Sequence, residues 1–122
     1  TGHSAWIEVS VHGREADRTI AGSLREDGSA TLVRVDAYPV NVSPVGSLLF
    51  VWNRDVPGVI GRVGTKLGDA GVNIGEFHQS RDADSGEALA VIGLDAGLSP
   101  AFVEQLVALD DVLDVRQVDL SD

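Results

Sequence analysis

Two short segments carry the side chains best suited to hold a small ligand: Asn53-Arg54-Asp55-Val56-Pro57-Gly58-Val59-Ile60 and Gly71-Val72-Asn73-Ile74. Asp55 is a favoured helix N-cap, Pro57 presets φ for a first helical turn, and Gly58 lets another molecule come close to the backbone. A helix start of this kind attracts an anion through its free N–H groups and the positive end of its macrodipole. The carboxylate of Asp55 and the amides of Asn53 and Asn73 suit an ammonium or a hydroxyl. Together these groups match a molecule that carries both a carboxylate and an amine. On the residues alone, Asp55 as a plain cap and Asn73 as a residue tolerant of left-handed backbone are the simpler accounts.

These segments need strands and a helix to position them. Leu48 to Asn53 is almost continuously apolar, as a strand in the middle of a sheet should be. Pro57 to Ala70 has helical periodicity, with Ile60, Val63, Leu67 and Ala70 on one face and Gly71 as the stop. Gly61, Gly64 and Gly68 each cost about 1 kcal/mol relative to Ala inside a helix, so close packing is the expected reason for them. Val72 to Arg81 and Glu87 to Asp95 read as strands joined by the polar turn Asp82 to Gly86. A second helix starts at Ser99-Pro100 and packs Phe102, Leu106 and Leu109, and Val112 to Val118 is a last strand. This βαββαβ order predicts a ferredoxin-like α+β sandwich with both helices on one face of an antiparallel sheet.

Residues 1–46 read differently. Trp6 to Val11 alternates, Thr19 to Leu24 is a second strand, and Asp27-Gly28 is a hairpin turn before a long run from Ala30 to Val42, in which Pro39 marks an edge or a bend. Three or four strands without a covering helix make a poor core, so they are expected to pair with something outside this chain or with another copy. Ser43-Pro44-Val45-Gly46 reads as a linker.

A strand, the run Asn-Arg-Asp-Val-Pro-Gly-Val-Ile, a helix, Gly-Val-Asn-Ile and a strand together resemble the signature of ACT domains, small regulatory modules that sense amino acids. Residues 57–65, Leu67-Gly68, residues 70–75 and Gly86-Glu87-Ala88-Leu89 look like the carboxy-terminal end of D-3-phosphoglycerate dehydrogenases, which start serine biosynthesis. The likeness is strong from Ser47 onward. It implies an ACT domain over 47–122, preceded in 1–46 by a small antiparallel β segment formed from the last strands of an allosteric substrate-binding domain. In serine-sensing members the effector is held by three polar positions that fall on Asn53, Asp55 and Asn73. The first is His or aromatic in those members, so Asn53 departs from the pattern. The implied effector-binding set is Asn53, Asp55, Gly58, Val59, Ile60, Asn73 and Ile74. The implied partners are L-serine and further copies of the chain, as a homodimer or homotetramer paired through ACT sheets, in the cytoplasm. Serine would then exert feedback control. The catalytic centre and the NAD of the resembled enzyme would lie outside this chain. Two alternatives stand beside this reading: the ACT-bearing part of an iron–sulfur L-serine dehydratase, and a ligand-free oligomerisation module.

Composition bounds the same problem independently. The chain has 122 residues, 43% of them hydrophobic, enough for one small domain with an appendage. Its net charge of −10 argues against nucleic acid and anionic membranes as partners. There is no Cys, and the longest apolar run, Leu48 to Trp52, is far too short to span a bilayer. A start without Met suggests a piece of something longer. His3, His12 and His78 lack metal-ligand spacing, and Asp82-x-Asp84-x-Gly86 lacks the later ligands of a calcium loop, so no metal site is expected. Residues 61–66 lack the spacing of a phosphate loop, and no nucleophile elbow or dinucleotide fingerprint occurs, so no catalytic residue is expected. Arg14, Arg18, Arg25 and Arg34 are available for an anion site in the first segment. Ordinary solvated arginines are an equally good account of them.

Overall fold

The computed structural model describes residues 5–11 and 18–120. His3, His12 and Arg14 therefore lie outside the described residues. The chain divides into two compact units, residues 1–44 and 45–122.

The first unit is an antiparallel meander of β1 (Ala5–Val11), β2 (Arg18–Leu24), β3 (Ala30–Val35) and β4 (Tyr38–Val42), in that spatial order. The Asp27-Gly28 turn forms as expected: Arg25 N–H donates to Ser29 O, and the Asp27 carboxylate accepts from Ser29 N–H at 2.8 Å. The long run from Ala30 to Val42 divides into two strands, β3 and β4. Asp36 breaks it by taking a left-handed conformation with φ of 51°, which Asp tolerates better than most residues. Its carboxylate is fixed there by Thr19 N–H at 3.0 Å and the Arg18 guanidinium at 3.1 Å. Pro39 sits in β4, the edge strand, the kind of strand to which a residue without an N–H is confined in a sheet.

The second unit contains β5 (Ser47–Arg54), α1 (Val59–Asp69), β6 (Ile74–Asp82), β7 (Glu87–Leu94), α2 (Pro100–Val107) and β8 (Val112–Asp119). The order βαββαβ and the sheet order β6-β7-β5-β8, antiparallel throughout, give the expected ferredoxin-like sandwich. Leu49 and Val51 of β5, Ala90 and Ile92 of β7 and Val115 of β8 face Val63 and Leu67 of α1 and Leu106 of α2 in one buried cluster. Burying these aliphatic side chains, at about 1.5–3 kcal/mol each, fixes the helices to this face. Among the described residues no helix is long and apolar enough to cross a membrane.

Both helices show how their ends are set. Ser99 Oγ accepts from Phe102 N–H at 3.2 Å and Pro100 occupies the first turn of α2, as expected. The α1 helix ends in a Schellman motif: Val72 N–H reaches Leu67 O, Gly71 N–H reaches Gly68 O, and Gly71 supplies the left-handed residue with φ of 76°. Its start corrects the expectation. Asp55 is not the N-cap; Gly58 is, in a left-handed conformation with φ of 89° and no side-chain cap. The reason is tertiary, because Asp55 N–H is drawn onto Gly86 O of the β6–β7 turn and Val56 N–H onto Arg54 O. The helix begins only after that detour. Its buried stripe is accordingly Val59, Val63 and Leu67, with Ile60 flanking it, and Ala70 is exposed as the C-cap. The expected close packing at Gly61, Gly64 and Gly68 is not found among the described residues, since beyond the helix's own backbone a Cβ at any of them would meet nothing within 4 Å.

Candidate functional site

The strand registers place the expected ligand-binding residues at two ends of the second sheet. Asn53 pairs with Ala88 near the end where β5 leaves the sheet, and Asp55 and Gly58 follow it. Asn73 precedes Ile74, which pairs with Leu94 at the opposite end. At about 3.3 Å per residue, the seven steps of β7 from Ala88 to Asp95 separate the two groups by roughly 23 Å. Within one chain, then, Asn53 and Asp55 come together with Gly58, Val59 and Ile60, while Asn73 and Ile74 do not join them.

At the first end, Asn53 is buried at 1% exposure. Its Nδ2 donates to Arg54 O at 2.8 Å, while its Oδ1 is buried and accepts nothing. An unpaired buried acceptor is costly, about 1–3 kcal/mol, and calls for an explanation. Asp55 is partly exposed, and its Oδ2 lies 3.3 Å from Arg81 Nε. Arg81 was not among the expected residues. It pairs with Ala88, as Asn53 does from the other side, so Asn53, Ala88 and Arg81 form a row across β5, β7 and β6. Residues opposite one another in adjacent strands project to the same face. This row therefore continues the helix-bearing face of Val51 and Ala90.

The start of α1 carries a second charged group that spacing did not reveal. The Arg62 guanidinium folds back over Gly58, so that a Cβ there would come within 3.0 Å of its Nη1. Its other nitrogen donates to Asp110 O at 3.2 Å and approaches Asp111 at 3.5 Å. An open groove of about 540 Å³ lies beside it, lined by Gly58, Gly61, Arg62, Thr65 and Leu109.

At the second end, Asn73 is clamped to Asp95. Its N–H and Nδ2 each donate to that carboxylate at 3.2 Å, and its carbonyl accepts from Asp95 N–H. Each of these amides thus gives one of its two side-chain N–H groups to the protein, Asn53 to Arg54 O and Asn73 to Asp95, and keeps its Oδ1 as an acceptor, buried in the case of Asn53. Such acceptors fit a donor, an ammonium or hydroxyl. Ile74 and Phe77 follow on β6, the edge strand, and remain 43% and 44% exposed.

The other sequence candidates lie elsewhere. Arg18 and Arg34 are engaged with Asp36, and Arg25 with Ser29 and Thr31. Asp82 accepts from Asp84 N–H at 3.1 Å, the geometry of a turn. Among the described residues no group of three His, Cys, Asp or Glu could hold a metal ion.

The family model for the ACT domain matches residues 47–111, more than half of the chain. The chain belongs to the ACT domain family. Among its relatives, the D-3-phosphoglycerate dehydrogenase of Synechocystis is 29% identical over 118 residues, 97% of this chain and 21% of that protein. Those of Bacillus subtilis and Archaeoglobus fulgidus are 29% and 30% identical over 98% and 97% of this chain, and 23% of each protein. The likeness thus runs past the ACT domain into the amino-terminal meander. The chain spans less than a quarter of the length of these relatives.

Proposed function

We propose that this chain is the effector-sensing portion of a cytoplasmic D-3-phosphoglycerate dehydrogenase and that it binds L-serine between two paired ACT domains as feedback control. The observation that carries the reading is the separation of Asn53 and Asp55 from Asn73 by the length of β6 and β7. A two-fold axis beside the β6 edge runs the second copy's β6 antiparallel to the first. Asn73 of each copy then comes opposite the Arg81–Asp82 end of the other, next to Asp55. Each dimer so built contains two composite sites. The same pairing covers Ile74 and Phe77, whose exposure on an unpaired edge is otherwise a liability.

The chemistry of the two halves supports a small amino acid. Asp55, Asn53 Oδ1 and Asn73 Oδ1 are acceptors for an ammonium and a hydroxyl, and the amides at the start of α1 together with the nearby arginines suit a carboxylate. The dehydrogenase names of the relatives, over nearly the whole chain, support the parent enzyme. Its NAD would be bound outside this chain, which has no Gly-x-Gly-x-x-Gly after a strand. Serine bridging two subunits would act by differential affinity, favouring one arrangement of the distant catalytic domains over another.

The test is complementation. Asp55→Ala and Asn73→Ala should each abolish L-serine binding in calorimetry while leaving the fold intact. After the two variants are mixed and allowed to exchange, half of the dimers are mixed and each holds one intact site, so about one quarter of the sites should return. Full affinity in either variant, or no recovery on mixing, would refute the composite site.

A further inference from the structure

We infer that Arg81 is the carboxylate-binding and selectivity-determining residue of this effector site, and that its ion pair with Asp55 is a place held for the zwitterion of an amino acid. The inference rests on the proposed function. The pair consists of one carboxylate and one guanidinium, 3.3 Å apart, at the rim of the row Asn53–Ala88–Arg81. An α-amino acid carries the complementary charges in reverse. Its ammonium can take Asp55 from Arg81, and the ligand's own carboxylate gives Arg81 an anion in exchange. One ion pair is thereby exchanged for two, both charge-assisted, and the guanidinium can bind a carboxylate through two parallel N–H donors.

Three observations place Arg81 in this role. The existing pair is weakly held, since the Arg81 side chain is 67% exposed and exposed ion pairs contribute little. Ala88, buried between Asn53 and Arg81, puts no more than a methyl group between them, so the row holds no bulky side chain that separates the amide from the guanidinium. The unpaired Oδ1 of Asn53, buried at the same row, waits for an N–H donor rather than an anion, so the ligand's carboxylate must lie away from it. Arg81 also stands at the end of β6 that the second copy's Asn73 would approach, so the residue reads a ligand enclosed by both copies.

The consequence is selectivity by cost. An amine lacking a carboxylate must displace Arg81 without compensating it. Replacing Arg81 should therefore move affinity for the two ligand types in opposite directions. Calorimetry on the full chain with L-serine, and with ethanolamine, which is L-serine without its carboxylate, tests this in the wild type, Arg81→Gln and Arg81→Lys. We expect Arg81→Gln to weaken L-serine by about tenfold or more and Arg81→Lys by less, with ethanolamine binding to Arg81→Gln more tightly than to the wild type. Unchanged or tighter L-serine binding to Arg81→Gln would overturn the assignment and leave the carboxylate to the start of α1. Parallel loss of both ligands would overturn it in favour of a merely structural role. A wild type that binds neither L-serine nor glycine would overturn the proposed function along with it.

Discussion

Asn53 and Arg81 flank Ala88 in register across β5, β7 and β6, on the face of the sheet that carries the helices. One of the two is buried with an unpaired acceptor, and the other is exposed with its charge on Asp55. This asymmetry supports the proposed effector site, because an ordinary core position would have been filled by an aliphatic residue.

That argument gives Asn53→Leu a sign. The substitution removes the Nδ2 bond to Arg54 O, worth about 0.5–1.5 kcal/mol, and also the unpaired Oδ1, whose burial costs about 1–3 kcal/mol. Urea unfolding should show stability unchanged or raised by about 1 kcal/mol, while the rise in melting temperature caused by L-serine disappears. A variant that is strongly destabilised would mean that Oδ1 is paired in the folded protein.

The helix glycines give a second prediction. Because, among the described residues beyond the helix's own backbone, a Cβ at Gly61 or Gly64 meets no atom within 4 Å, Ala there should recover helix propensity without strain. Each of Gly61→Ala and Gly64→Ala should raise stability by about 0.5–1 kcal/mol in urea unfolding. Destabilisation by either would show that the methyl group meets another molecule, which would put α1 in an interface.

The sequence made these elements legible unevenly, for reasons that particular residues show. The apolar run of β5, the Ser99-Pro100 start of α2, Gly71 and the Asp27-Gly28 turn are local signals, and local hydrogen bonds realise them. Asp55 misled because the signal of an acidic residue shortly before Pro57 is also local, whereas the bond that decides it, Asp55 N–H to Gly86 O, spans 31 residues. Asp36 hid inside an alternating run, since a left-handed Asp has no periodicity of its own. Arg81, Asp95 and the distance between Asn53 and Asn73 follow only from register between strands. No spacing along one segment contains that information.

The acid limb of stability carries a third prediction. Hydrogen bonds from the Ser29 side chain and backbone, with the charge of Arg25 nearby, lower the Asp27 carboxyl below its ordinary value of 3.8. A carboxyl lowered in the folded state adds stability that is complete above its unfolded value and is lost as the pH falls through the folded one. Asp27→Asn should therefore flatten part of the stability loss below about pH 4 and leave the slope between pH 6 and 8 unchanged. Superimposable pH profiles of melting temperature for the two proteins would refute it.

The edge strand supplies the last test. Phe77 projects from β6 opposite Ile92, on the helix-bearing face, yet it is 44% exposed. A side chain that contributes so little to its own core can be replaced at a cost of about 0.5 kcal/mol or less in the monomer. Buried at an antiparallel β6 joint, however, a charge there would face an apolar neighbour and a like charge from the second copy. Phe77→Lys should therefore leave the circular dichroism spectrum unchanged, reduce association in sedimentation measurements, and abolish L-serine binding, although residue 77 lies several residues from both Asn73 and Arg81. The loss of affinity should be recovered as protein concentration rises, since mass action drives the weakened joint together. If Phe77→Lys stayed associated and kept its affinity, the β6 edge would not be the joint, and Asp55 and Asn73 would have to meet by another surface.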